Sequence, residues 1–353
     1  MSFPRLVFRA ILGGTTSLPG ETPMIRLTRR AALVLPLATP LVARAQGAPT
    51  NWRPTQPIRI VVPAAPGGTA DISARLLAPF LQQHYGQNCV VENRSGAGGV
   101  IGTAEVVRAA PDGLTLLLGN IGPQAIGLSL YRSLPYAKDA LLPVCGTVRG
   151  PNVLVVHPAV PAHTVPELVA HLKANPGKLS FGSPGVGQSP HLTGVWFNQA
   201  TGTEAIHVPF RGAGPAAMEL VAGNIQYMWD NLTSGISQIR GGRVRALAVS
   251  SADRNPQLPD IPAARETMPE LAKFDVNTWF GIFLPAAAPR PVAESLNAAM
   301  KTWQGTEEVQ ARWREMGGAS LYGNTAEFAA FVNAEVEKWG EVIRKEGLQL
   351  EVG

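Results

Sequence analysis

Ser189, His191 and Asp230 are residue types that a hydrolase uses as nucleophile, base and acid. Ser189 lies in the segment G-Q-S-P-H at 187–191, which partly matches the G-x-S-x-G pattern of a serine nucleophile. A histidine occupies the position where that pattern needs its last glycine, and a proline follows the serine. His191 is also two residues from Ser189 at a predicted helix start, where a base reaches the hydroxyl poorly. An exported hydrolase using Ser189, His191 and Asp230 therefore stays an alternative.

The other polar positions have two readings each. Asp71 could be a general base, although an acidic residue in the first turn of a helix is typical of capping. Asp230 follows a predicted strand and could either bind a polar ligand or orient its loop.

The sequence lacks complete motifs for nucleotide binding. The glycines at 96 and 98 are not followed by glycine at 101, and no G-K-[ST] occurs. Histidines and cysteines lack metal-ligand spacing, so no metal and no cofactor is predicted.

A glycine-rich loop between a strand and a helix recurs along the chain. In the first example, the β-branched run at 58–62 ends at a proline-glycine loop, and Asp71 opens an apolar periodic segment. Similar loops occur at 66–71, 95–99, 182–190 and 211–215. Each directs the unpaired amide groups of a helix start toward the end of the preceding strand, and glycine lets a ligand approach the backbone. Facing loops of this kind predict a site for a small carboxylate held mainly by main-chain donors.

The order of strands and helices predicts an α/β architecture. Strands at 58–62, 89–91 and 114–118, separated by two helices, indicate a parallel sheet with right-handed crossovers. A second unit of the same kind follows a strand at 148–156, and Ser189 is predicted to cap one of its helices. The last predicted helix covers 327–347, with Asn324 and Glu327 as its capping box. The predicted boundaries are 46–148 plus 266–353 for lobe 1 and 149–265 for lobe 2.

The basic residues of the first part of the chain predict an export leader. The formal charge is +5, but residues 1–45 hold six arginines and one glutamate, so the remainder carries 24 basic and 24 acidic side chains. A neutral body gives no support to a nucleic-acid partner. The basic segment at 26–30, an apolar run at 31–42 and A-R-A at 43–45 predict an export signal over 24–45, preceded by a possible upstream extension at 1–23.

The signal resembles a twin-arginine leader, with the general secretion route as the alternative. The mature protein is predicted to begin near Gln46, in the periplasm. In that oxidising compartment Cys89 and Cys145 could pair. Each lies in an apolar strand-like segment, however, which favours two separate buried thiols.

Several motifs in one order resemble the Bug proteins, the periplasmic receptors of tripartite tricarboxylate transporters. The matching segments, from about residue 56 to the C-terminus, are P-I-R-I-V-V-P at 57–63, P-G-G-T-A-D at 66–71, V-E-N-R at 91–94, G-A-G-G at 96–99, A-A-P-D-G at 109–113, F-G-S at 181–183, H-L at 191–192, V-P-F-R-G at 208–212, L-P-D-I-P at 258–262 and W-F-G at 279–281.

The resemblance implies a two-lobed periplasmic-binding-protein fold of the Venus flytrap, type II-like kind, with a parallel-rich sheet in each lobe and no catalysis. It assigns the ligand to loops of both lobes. The implied ligand-binding residues are Ala65, Gly67, Gly68, Thr69, Asp71, Ser183, Gln188, Ser189, His191, Phe210, Arg211, Gly212 and Asp230. Family members commonly have tyrosine and lysine where this chain has Phe210 and Arg211, so a relative's ligand preference does not carry over.

The expectation is an exported solute-binding protein, a monomer, that captures a small organic anion and delivers it to the membrane permease of such a transporter. A ligand-sensing subunit that reports to a membrane kinase is a second alternative beside the hydrolase.

Overall fold

The structure, a computed structural model, describes residues 52–345. The predicted leader at 24–45 and the upstream extension at 1–23 lie outside this range. Among the described helices, none combines the length and the apolar composition that a membrane span needs.

The first lobe is built on three parallel strands, β1 (Ile58–Val62), β2 (Cys89–Asn93) and β3 (Thr115–Asn120). Helices α1 (Thr69–Tyr85) and α2 (Val100–Val107) form the crossovers, which confirms the predicted βαβαβ start. Pro79 lies inside α1, on its exposed side, and the helix continues past it to Tyr85. The short helix α3 (Gly127–Leu130) follows a π-helical turn after β3.

The second lobe repeats this order of strands and helices after α4 (Val165–Ala174), which the Thr164 hydroxyl caps. The strands and helices are β5 (Ser180–Ser183), α5 (Ser189–Thr201), β6 (Ile206–Pro209), α6 (Ala213–Val221), β7 (Tyr227–Asn231), α7 (Leu232–Arg240) and β8 (Arg245–Val249). The parallel strands lie in the order β7, β5, β6, and β8 pairs antiparallel with the strand at 141–156. Helix α5 begins with Ser189 itself, so the prediction that Ser189 caps it is wrong by one residue, and Gln188 holds that position.

Two long antiparallel strands join the lobes, β4 (Leu141–Val156) and β9 (Asn277–Pro285). The first part of β4, through Pro151, pairs with β9, and its last five residues pair with β7. Strand β4 begins seven residues before the predicted strand at 148–156. The prediction is too short because Pro143 and Gly146 interrupt the apolar pattern that marks a strand. Both residues sit at register shifts, where a sheet tolerates proline and glycine. The resulting strand order is β2-β1-β3-β9-β4-β7-β5-β6.

The C-terminal part completes the first lobe with α8 (Arg290–Gln304), α9 (Glu307–Glu315), the short strand β10 (Ala319–Ser320) and α10 (Thr325–Lys345). Asn324 and Glu327 form the predicted capping box of α10, since the Glu327 amide donates to Asn324 Oδ1 at 3.0 Å and the Asn324 amide donates to Glu327 Oε2 at 2.8 Å. The buried face of α10 packs Phe328 edge-on against Trp279 of β9. Val342 of the same helix is 37% exposed.

Both cysteines are free thiols, Cys145 buried and Cys89 half-buried. Burial raises the pKa of each to about 12. The prediction of two separate thiols is confirmed, and the prediction that they are buried holds for Cys145 but not fully for Cys89.

Candidate functional site

A small cavity of about 60 Å³ lies between the lobes, at the carboxyl ends of six parallel strands. Open α/β sheets bind ligands at this end of their strands. Loops after β1, β2, β5 and β6 contribute to its wall, as do the last residues of β3 and β7. The lining residues are Pro63, Ala64, Gly68, Thr69, Ala70, Gly96, Ala97, Gly98, Gly99, Asn120, Pro184, Gln188, Phe210, Arg211, Ala213, Asn231 and Phe280. The four glycine loops singled out in the sequence therefore converge on one space.

Hydrogen bonds between the lobes close this cavity. The Ala65 amide donates to the Arg211 carbonyl at 2.9 Å, and Gln188 Nε2 donates to the Gly98 carbonyl at 2.6 Å. Tyr131 of the first lobe donates through its hydroxyl to the Val186 carbonyl of the second at 2.9 Å. The structure is thus the closed form of a two-lobed molecule.

Glycine permits this close approach at two places. A Cβ on Gly98 would lie 2.1 Å from the Val186 carbonyl oxygen, and one on Gly214 would lie 2.3 Å from the Pro66 carbonyl oxygen. Neither distance is possible for real atoms, and both neighbours are backbone of the opposite lobe. Closure therefore depends on the missing side chains at these positions.

Among residues 52–345, five helices of eight or more residues begin at the cavity, and none of the five has a side-chain cap. The cap positions of α1, α2, α5, α6 and α7 are Gly68, Gly99, Gln188, Gly212 and Asn231. Of the described helices of this length that begin away from the cavity, α4, α9 and α10 are capped by Thr164, Thr306 and Asn324, and α8 begins after Pro289 without a side-chain cap. Uncapped helix starts leave amide donors available and carry partial positive charge. The cavity is accordingly suited to an anion.

Asp71 does not line the cavity but holds the loop after β1 through a hydrogen bond to its backbone. Its carboxylate accepts hydrogen bonds from the Gly67 amide, the Arg75 guanidinium and the Asn93 amide group, each at 3.0 Å. Burial alone would raise the pKa of Asp71, but these hydrogen bonds outweigh it and lower the pKa below its usual value. Asp71 is therefore an ionised structural brace, which fits its capping interpretation rather than that of a base.

Ser183 and His191 stabilise the loop after β5 from its buried side. Ser183 Oγ lies 2.7 Å from His207 Nε2 and accepts a hydrogen bond from the Gly185 amide at 3.2 Å. His191 Nδ1 accepts from the Gly187 amide at 3.3 Å, and its ring stacks on His207 with centroids 4.2 Å apart. Burial lowers the pKa of His191 to about 3, with His207 adding to the effect, and lowers that of His207 to about 4. Both rings are neutral near pH 7.

The hydrolase arrangement is not assembled. Ser189 Oγ accepts a hydrogen bond from Asn152 Nδ2 at 2.8 Å, and within residues 52–345 no hydrogen bond joins it to His191 or Asp230. A base with the lowered pKa of His191 also takes a proton from serine poorly. Burial raises the pKa of Asp230 to about 7, against the opposing hydrogen bond from the Asn231 amide. Asp230 lies beside the cavity residue Asn231 but does not itself line the cavity.

The segment 210–212 contributes one apolar and one charged side chain. Phe210 and Arg211 line the cavity, and the Phe210 amide donates to the Ser183 carbonyl at 2.9 Å. The exposed Arg211 guanidinium makes no hydrogen bond or ion pair within the described part of the chain. Gly212 is buried against Ala65 of the opposite lobe.

The thirteen predicted site residues thus divide into two groups. Those that line the cavity are Gly68, Thr69, Gln188, Phe210 and Arg211. Those that lie behind it or in the closing contacts are Ala65, Gly67, Asp71, Ser183, Ser189, His191, Gly212 and Asp230.

Several lining residues were not predicted individually, notably the glycine turn at 96–99, Asn120, Asn231 and Phe280. The sequence places the turn at 96–99 before a helix start, but the resemblance assigns none of its residues to the ligand. The available signal for the two asparagines was their position at predicted strand ends.

Residues 73–348 match the family model described as "Tripartite tricarboxylate transporter family receptor". The chain belongs to this receptor family. It is 34% identical to protein BugT of Bordetella pertussis, in an alignment covering 92% of this chain and 100% of BugT. The predicted resemblance to Bug proteins is therefore confirmed, and with it membership in a family of solute-binding receptors.

Two solved structures of similar proteins share the two-lobed periplasmic-binding-protein fold. One is R. palustris Rpa4515 with adipate, with a TM-score of 0.81, 31% identity and coverage of 85% of this chain and 100% of that one. The other is MatC from Rhodopseudomonas palustris with bound malate, with a TM-score of 0.78, 30% identity and coverage of 82% and 99%.

Replacing Gly98 by alanine should weaken ligand binding by about tenfold or more, because the new Cβ would meet the Val186 carbonyl oxygen in the closed form. Gly86→Ala is the matched control, since Gly86 also has a positive φ but nothing lies near its added Cβ. Thermal denaturation with a panel of mono-, di- and tricarboxylates measures the effect. Equal ligand-induced stabilisation of the two variants would show that Gly98 is not needed for closure.

Asp230→Asn should stabilise the protein more at about pH 8 than at about pH 5. The folded pKa of about 7 lies above the ordinary aspartate value of 3.8, so the ionisation cost is absent at low pH and grows as the pH rises toward 7. Urea denaturation of both proteins at the two pH values gives the difference in unfolding free energy. Asp139→Asn, at an exposed position, serves as control. A difference independent of pH would contradict the burial effect on Asp230.

Proposed function

We propose that this chain is an exported receptor that binds a small organic carboxylate between its lobes and delivers it to the permease of a tripartite tricarboxylate transporter. The observation that carries the proposal is the convergence of five helix starts without side-chain caps on one closed cavity. Family membership supports the permease as the receiver rather than a sensor kinase.

Main-chain donors can supply most of the affinity for such a ligand. Each helix start contributes roughly 0.3–1 kcal/mol to a nearby anion. Hydrogen bonds to a charged acceptor contribute about 1.5–3 kcal/mol each. Arg211 is the one charged residue lining the cavity in the described chain, and its unpaired guanidinium could bind a carboxylate oxygen at the cavity rim.

The ligands of similar proteins support the carboxylate class. The structures of Rpa4515 and MatC contain adipate and malate, which are both dicarboxylates. We propose direct ligand contacts for the predicted residues that line the cavity, namely Gly68, Thr69, Gln188, Phe210 and Arg211. The remaining predicted residues would position the loops or complete closure.

The proposal includes no catalysis. The separation of Ser189 from a usable base supports this, because acyl transfer needs nucleophile and base in contact. We further propose a monomer with lobes at 46–148 plus 266–353 and 149–265, exported by a leader that is cleaved near Gln46.

Arg211→Gln should weaken carboxylate binding about three- to tenfold, since an exposed charged contact contributes modestly. Arg243→Gln is the matched control, as Arg243 is an exposed arginine of the second lobe outside the cavity. Calorimetric titration of both variants with the best ligands from a panel of mono-, di- and tricarboxylates, nicotinate and amino acids gives the dissociation constants. Failure of the whole panel to bind the wild-type protein would overturn the proposed function.

A further inference from the structure

Tyr131 of the first lobe reaches the second lobe without forming part of the cavity wall. Its hydroxyl donates to the Val186 carbonyl at 2.9 Å. Thr69 and Gln188 also donate across the lobes, but both of them line the cavity, whereas Tyr131 does not. The Tyr131 contact therefore joins the lobes through a side chain that lies outside the ligand space.

The Tyr131 hydroxyl lies where the backbones of the two lobes meet. A Cβ on Gly98 of the first lobe would lie 3.1 Å from this oxygen, and a Cβ on Gly187 of the second lobe would lie 2.8 Å from it. Burial raises the pKa of the Tyr131 phenol above its usual value, so the group keeps its proton near pH 7. Tyr131 is thus a neutral donor between two glycine turns, one from each lobe.

The peptide group that accepts this hydrogen bond is also held from inside its own lobe. Its carbonyl belongs to Val186, and its N–H, which belongs to Gly187, donates to His191 Nδ1 at 3.3 Å. The N–H and C=O of a trans peptide group point in opposite directions. Because His191 is buried and stacks on His207, it fixes this peptide from within the second lobe. The Val186 carbonyl is therefore turned toward the first lobe.

The contact between Tyr131 and Val186 belongs to the closed form alone. Its two atoms lie in different lobes, and a hydrogen bond is lost once donor and acceptor are more than about 3.5 Å apart. A separation of the lobes by about 1 Å at this point is enough to break it. A contact that stabilises only the closed form shifts the opening equilibrium, and with it the apparent affinity for any ligand that the closed form holds.

We propose that Tyr131 is a positioning residue that holds the lobes closed over the ligand and slows its release, with His191 orienting the peptide that accepts the hydrogen bond. This inference rests on the proposed function and adds a residue that affects every ligand alike. A residue in contact with the ligand would instead change the affinity for some ligands more than for others.

The first test is Tyr131→Phe, which removes the hydroxyl and keeps the ring. Calorimetric titration with succinate, adipate and citrate should show binding that is weaker by about three- to tenfold, by the same factor for each acid that the wild-type protein binds. Surface plasmon resonance on the immobilised protein should assign this loss to faster dissociation, with the association rate unchanged. Unequal factors among the acids, or a loss confined to the association rate, would overturn the inference.

Tyr322→Phe is the matched control, because the Tyr322 hydroxyl donates to Asn297 Oδ1 within the first lobe. This variant should bind each acid as the wild-type protein does. Wild-type affinity of Tyr131→Phe for every acid would overturn the inference and leave the proposed function intact. Failure of the wild-type protein to bind any of a panel of mono-, di- and tricarboxylates would contradict the proposed function, and the inference with it.

The second test reaches the same contact from the other lobe. The Cβ of Gly187→Ala would displace the Tyr131 hydroxyl, so binding should weaken by about tenfold or more. Gly177→Ala is the matched control, since Gly177 also has a positive φ in the second lobe but nothing lies near its added Cβ. The loss caused by Gly187→Ala should be smaller when it is combined with Tyr131→Phe, because the hydroxyl that meets the Cβ is then absent. Losses that simply add would contradict the shared contact.

Discussion

The structure depends on main-chain amide groups that no side chain satisfies. Within residues 52–345, all five helices of eight or more residues that begin at the cavity lack a side-chain cap, whereas three of the four that begin elsewhere have one. Loss of a capping side chain costs a helix about 1 kcal/mol with alanine at that position and a few tenths with glycine, which holds it in three of these five helices. Five uncapped starts around one space make sense if a ligand supplies the missing acceptor. The remaining features of the site follow from keeping these helix starts together.

Aspartate and histidine side chains near the cavity hold the loops that carry these helix starts. Asp71 braces the first loop through the Gly67 amide, and His191 braces the loop after β5 through the Gly187 amide. Their altered pKa values come from these structural positions. Glycines at the lobe contact then let the two backbones meet, so that the donors of both lobes can reach one ligand.

Much of this arrangement could be predicted from the sequence. The repeated order of strand, glycine loop and helix implies that the loops lie at the carboxyl ends of parallel strands, and the structure brings them together there. The sequence does not reveal which way a polar side chain at such a loop points. Ser183 and Ser189 therefore resembled ligand contacts although both are fully buried behind the cavity. Asn120 and Asn231 resembled ordinary strand ends, and only the three-dimensional structure shows that both line the cavity.

A crystal structure of the complex with the tightest-binding carboxylate tests the central claim most directly. The account predicts carboxylate oxygens within hydrogen-bonding distance of first-turn amides from both lobes, for example those of Thr69 or Ala70 and of Ala213. A carboxylate held by side-chain cations alone, or bound outside this cavity, would contradict it.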